Sequence, residues 1–110
     1  MNNKLTGTLG ICRRSGHLTI GFDAVKDLIL KNRAALVMTA ADLSEKTEKE
    51  LRFLMNEHSV SICRLSLNKA ALSAALGLQK PVGVIATDDS GFAVSIAKHI
   101  PSELKEDDAL

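Results

Sequence analysis

The chain has 110 residues, 45% of them apolar and 25% charged, with a net charge of +1. Those values describe one globular domain with a sizeable core and exclude a disordered chain, a collagen-like chain or a coiled-coil rod. The aromatic residues are Phe22, Phe53 and Phe92 alone, which argues against a sheet that stacks bases on rows of aromatics.

In chain order, residues 4–14 read as a helix with Leu5, Leu9 and Cys12 on one stripe, although Gly7 and Gly10 weaken it. Ser15-Gly16 stops it, and 18–20 is a very short strand. Residues 21–32 form a stronger helix, with Phe22, Val25 and Ile29 on one face. Residues 35–39 are a buried strand. Ser44 suits an N-cap, with Glu45 and Glu48 at the positive end of a helix that runs to about His58. Its stripe is Leu51, Leu54, Met55 and His58.

Residues 60–65 form another strand. Asn68 caps a short helix through Leu76, closed by Gly77 in a left-handed conformation. Residues 82–86 are the last buried strand. Asp88-Asp89-Ser90-Gly91 then turns into a helix with Phe92, Ile96 and Ile100 on its apolar face, ended by Pro101. Residues 102–110 carry four acids and one Lys and read as a frayed, flexible tail. Strands alternating with helices predict an α/β fold: a three-layer α/β/α sandwich around a small four-stranded mixed sheet, in a single domain over 1–100.

The longest apolar run, 34–41, contains Thr39, and a bilayer span takes about 20 apolar residues. The opening Met-Asn-Asn-Lys-Leu-Thr lacks the apolar region of a secretory signal. Cys12 and Cys63 are too few for a disulfide framework. A cytoplasmic protein with free thiols and no membrane partner is expected.

The small net charge hides an asymmetry. Residues 1–33 hold six basic and two acidic residues, residues 34–80 six and five, and residues 81–110 two and six. The N-terminal third at +4 is either a surface facing anions or a solvated basic face.

Catalytic and metal signals are weak. His17 sits in a loop, and His58 and His99 sit near helix ends. His58 on an apolar stripe reads as a packing residue, and His99 suits a helix C-terminus. Cys12 and His17 lack zinc spacing. Thr6-Gly7-Thr8-Leu9-Gly10 lacks the spacing of a phosphate loop and has no strand before it. Asp88-Asp89 is either a carboxylate pair or a helix cap, the cap being the simpler reading. No catalytic residue, metal, cofactor or small-molecule substrate is indicated. What remains is Arg13, Arg14 and His17 at the end of the first helix, with Gly21 opening the second. Basic side chains beside free helix amides are a phosphate contact set, and a plain turn with basic flanks is the alternative.

Several segments together resemble the kink-turn RNA-binding ribosomal protein superfamily, which includes archaeal ribosomal protein L-seven-Ae, L-thirty-e and Gadd45-type proteins. The small bacterial YlxQ-like members look nearest. Residues 9–18 (Leu-Gly-Ile-Cys-Arg-Arg-Ser-Gly-His-Leu) resemble the family's first-helix ending, L-x-x-A-R-R-A-G-K-L. Ala40-Ala41-Asp42 is similar to an A-x-D turn, residues 69–77 to K-x-x-L-G-x-A-x-G, and residues 87–93 to T-D-x-G-F-A with one extra residue.

The resemblance implies binding of structured RNA, kink-turn or ribosomal, and association with the ribosome. It gives RNA contact to two elements. One is the start of the second helix, where the family reads G-x-N-E-x-x-K, and the other is the loop after the fourth helix. Gly21 matches, but Asp23, Ala24 and Asp27 stand at the Asn, Glu and Lys positions, and Ser73 replaces a family Gly. The resulting RNA-binding set is Arg13, Arg14, His17, Lys26 and Lys80 for phosphates, Gly21, Phe22 and Asp23 at the helix start, and Leu78 and Pro81 against an unstacked base. The acidic flank motivates the alternative, a protein-interaction module on the same fold.

Overall fold

The computed structural model describes residues 3–100 and 105–106. In order it contains α1 (Asn3–Arg14), β1 (Leu18–Ile20), α2 (Phe22–Leu30), β2 (Leu36–Thr39), α3 (Glu45–His58), β3 (Ile62–Arg64), α4 (Lys69–Ala75), β4 (Val84–Thr87), α5 (Ser90–Ala97) and β5 (Lys105–Glu106). The sheet order is β1-β4-β2-β3-β5. Only β2 and β3 run parallel, joined by the α3 crossover; the other neighbours are antiparallel.

The four expected strands form the body of the mixed sheet. To them Lys105–Glu106 adds a two-residue edge strand, inside the segment expected to be a tail. Pro101 and the rest of that segment lie outside the described residues.

Side-chain alternation along the strands builds two cores. Leu36, Met38, Cys63, Leu65 and Ile85 face one way, against Leu5 and Leu9 of α1, Leu72 of α4 and Ile96 of α5. Val37, Ile62, Val84 and Ala86 face the other way, against Val25 and Ile29 of α2 and Leu51 and Met55 of α3. This is the three-layer α/β/α sandwich that the alternation of elements predicts. β4 is buried along its whole length because it has a strand on each side and helices on both faces.

Local chemistry sets the helix ends. Ser44 accepts from the Thr47 amide at 3.2 Å, Asn68 from the Ala71 amide at 2.8 Å, and Asp89 from the Phe92 amide at 2.8 Å. α1 forms despite Gly7 and Gly10 because its stripe of Leu5, Leu9 and Cys12 is fully packed, and tertiary burial outweighs propensity. Asn32 and Ser59 adopt left-handed conformations beyond α2 and α3. His58 Nδ1 lies 2.9 Å from Asn32 Oδ1, so His58 ties those two helix ends together as a packing residue.

Each core layer is expected to matter by itself. Leu9→Ala and Leu51→Ala, each emptying a fully buried site on an opposite face of the sheet, should cost about 2–5 kcal/mol. Phe53→Ala, at a side chain that is mostly exposed, should change stability by less than about 0.5 kcal/mol. Urea unfolding followed by far-UV circular dichroism measures all three.

Candidate nucleic-acid interface

The segment from Gly77 to Gly83 connects α4 to β4 and is anchored along its length. At its start, Arg13 Nη1 donates to the Leu76 carbonyl at 2.7 Å, which places the end of α1 on the end of α4. In its middle, the buried hydroxyl of Ser73 lies 3.2 Å from the Leu78 carbonyl and 2.5 Å from that of Lys80. The Leu78 amide returns to the Ser73 carbonyl at 2.9 Å. Leu78 is half-buried against the α1/α4/α5 core, while Lys80 and Pro81 are exposed. At its end, Gly83 passes so close to Leu43 that a Cβ there would lie 2.8 Å from Leu43 Cδ1, with the stem of Lys69 alongside.

The start of α2 lies next to that end. Gly21 donates its amide to the Val84 carbonyl at 2.9 Å, continuing the β1–β4 pairing by one residue. Its φ of 98° and ψ of 151° fall in a region open essentially to glycine alone. No side chain caps α2, so its first-turn amides are free for an anion. Asp23, Ala24 and Asp27 are exposed, while Phe22 and Lys26 are half-buried, Phe22 against the α2/α3 core. Asp27 pairs with Lys31 at 2.9 Å, but both side chains are more than 60% exposed, so water screens the pair to about 0.3–0.5 kcal/mol.

The expected cluster of Arg13, Arg14 and His17 beside the free amides of α2 is not what the fold builds. β1 lies between: His17 is at its entrance and Gly21 at its exit, a separation of about four extended residues. His17 turns instead to the β4–α5 corner. Its Nδ1 lies 2.9 Å from Asp88 Oδ1, and its ring is 6.0 Å from Phe92 at a 39° tilt. Cys12 sits beneath this corner, fully buried, with its Sγ donating to the His17 carbonyl at 3.3 Å and 3.5 Å from Thr87 Oγ1. Burial pushes the Cys12 thiol up from 9.0, Asp88 and Asp89 add to the rise, and the Thr87 hydrogen bond opposes it. A buried thiol held protonated is not a nucleophile. Arg14 is exposed and folds back over Gly10.

The sites are therefore a strip. Arg13 meets Gly77 at one end, Leu78, Lys80 and Pro81 follow, and Gly83 lies beside Gly21 at the other end. His17 stands apart from it. Ser73, Lys69 and Asp88 escaped the sequence reading as participants. Ser73 was visible as a departure from a glycine pattern; the partnership of His17 with Asp88, 71 residues away, had no local signal. Among the described residues no three His, Cys, Asp or Glu side chains converge as metal ligands, and no helix is long and apolar enough to cross a membrane.

Gly21→Ala tests the backbone at the helix start. Nothing lies within 4 Å of a Cβ at that position, so the cost is conformational and should be about 1–3 kcal/mol in urea unfolding.

No curated protein matches the sequence significantly. Among solved structures, a protein of unknown function from Bacillus halodurans superposes with a TM-score of 0.79 at 24% identity, covering 89% of this chain and 96% of that one. That likeness shows a shared fold. Residues 3–97 match the Ribosomal protein L7Ae/L30e/S12e/Gadd45 family. The chain belongs to that family, and membership suggests an RNA-binding, ribosomal-protein-like function.

Proposed function

We propose that this protein is a non-catalytic binder of structured RNA of the kink-turn type, cytoplasmic and associated with ribosomal RNA. The observation that carries the reading is the uncapped α2 start lying beside the end of the 77–83 loop, where the Gly21 amide meets the carbonyl of Val84, the first residue of β4 after that loop. Free amides at the helix start suit a phosphate or a base acceptor. Leu78 and Pro81 supply apolar contact for an unstacked base, as single-stranded and splayed RNA requires. Asp23 accepts from a base amino group where the family carries Asn.

Lys26, Lys69 and Lys80 supply positive charge along the strip, with Arg13 and Arg14 beyond its Gly77 end. Arg13 has donors left after its bond to Leu76, since a guanidinium carries five. His17, 44% exposed and bonded to Asp88, contacts phosphate only at the edge of this set.

About four or five phosphate contacts give a log–log salt slope of roughly −3 to −4.5. A titration against a kink-turn RNA and the same RNA with its G·A pairs replaced should show tighter binding to the first, with that slope. Equal affinity for both RNAs contradicts kink-turn recognition, and an affinity independent of salt contradicts the contact set. Arg14→Ala should weaken binding and reduce the slope by about 1 without loss of fold. Asp27→Lys should raise affinity, because it replaces a carboxylate near phosphates with a cation.

The acidic flank of α2 favours a second reading, a protein-interaction module. The two are separated on the purified protein: with no Trp or Tyr, its own absorbance near 280 nm is almost nil, and bound nucleic acid shows at 260 nm.

A further inference from the structure

We infer that Ser73 is a positioning residue for RNA recognition, holding the 78–81 loop in its binding conformation before RNA arrives. The inference rests on the RNA-binding reading above and adds a residue that touches no RNA itself. Ser73 is 5% exposed and lies within α4. Its hydroxyl has one hydrogen, and two carbonyls converge on it: Lys80 at 2.5 Å and Leu78 at 3.2 Å. The hydroxyl donates to one at a time, the shorter contact being to Lys80. The Lys80 carbonyl is thus drawn toward α4, with that of Leu78 beside it, and the exposed Lys80 and Pro81 are carried on a backbone tethered to that helix.

No helix or strand holds residues 78–82. Leu78 and Val82 pack against the core at either end of this segment, and beside the Leu78 amide bond back to Ser73 the hydroxyl makes the side-chain hydrogen bond that ties the exposed stretch between them to α4. Without it the exposed stretch from Gln79 to Pro81 would have more freedom to lose when RNA binds, and that ordering opposes affinity. A glycine at this position, as in the family pattern, offers no such hydroxyl, so the device belongs to this chain.

The experiment compares Ser73→Ala with Lys80→Ala in titrations against the kink-turn RNA at several salt concentrations, after urea unfolding shows both variants folded. Ser73→Ala should bind about three- to tenfold more weakly. The loss should appear in the dissociation rate, with the salt slope unchanged, because no phosphate contact is removed. Lys80→Ala should instead flatten the slope by about 1. Amide exchange of Gln79, Lys80 and Val82 in the free protein should speed up in Ser73→Ala and stay unchanged in Lys80→Ala.

Wild-type affinity in Ser73→Ala, or a flattened slope, overturns the inference while leaving the RNA reading in place. A wild-type protein that ignores the G·A pairs overturns both.

Discussion

β4 is the strand on which the arrangement depends. It is hydrogen-bonded to β1 on one side and β2 on the other and covered by helices on both faces. Its register sets what lies at each end. Pairing Ile20 with Ile85 brings Gly21 to the Val84 carbonyl, so α2 begins beside the loop that leads into β4. Pairing Leu18 with Thr87 brings His17 to Asp88 at the far end. A shift of this register by one residue would turn Val84 and Ala86 to the wrong core and separate Gly21 from the loop. Burial in two cores makes such a shift costly, so the candidate interface inherits its geometry from packing far larger in energy than any contact on its surface.

The strip itself is held by few groups, each aimed at backbone. Arg13 to the Leu76 carbonyl is a charge-assisted bond, stronger than a neutral one. Ser73 holds the middle of the loop, and Gly21 closes its end. Side chains that face water are left to meet a partner: Lys80, Pro81 and Asp23 are exposed. Rigid backbone under free side chains is the arrangement that lowers the ordering cost of binding. The ion pair of Asp27 with Lys31, being solvent-screened, leaves that acidic flank open to change.

Much of this was readable from the residues in order. Stripes such as Leu51 and Met55, caps such as Ser44, Asn68 and Asp89, and the stop at Gly77 act within one or two turns, and all appear where their local chemistry puts them. Strand ends moved by one or two residues: Val60 and Val82 are buried but lie outside the ladder, because apolarity marks burial and not hydrogen bonding. Positions in the site set by local rules, such as Gly21, were equally readable. The grouping of Arg13 and His17 with the α2 amides was not, since closeness in sequence ignored the length of β1. His17 with Asp88, Arg13 with Leu76 and Lys69 with Gly83 come together through sheet register and layer packing, which no short pattern encodes.

The central claim is that the α2 start and the 77–83 loop act as one RNA surface. Amide chemical-shift mapping of the labelled protein during titration with a kink-turn RNA tests it most directly. The account predicts the largest shifts at Gly21 to Ala24 and at Gly77 to Gly83, with smaller shifts at His17 and the α3 face little changed. Shifts concentrated on α3, or spread evenly over the surface with neither segment standing out, would contradict it.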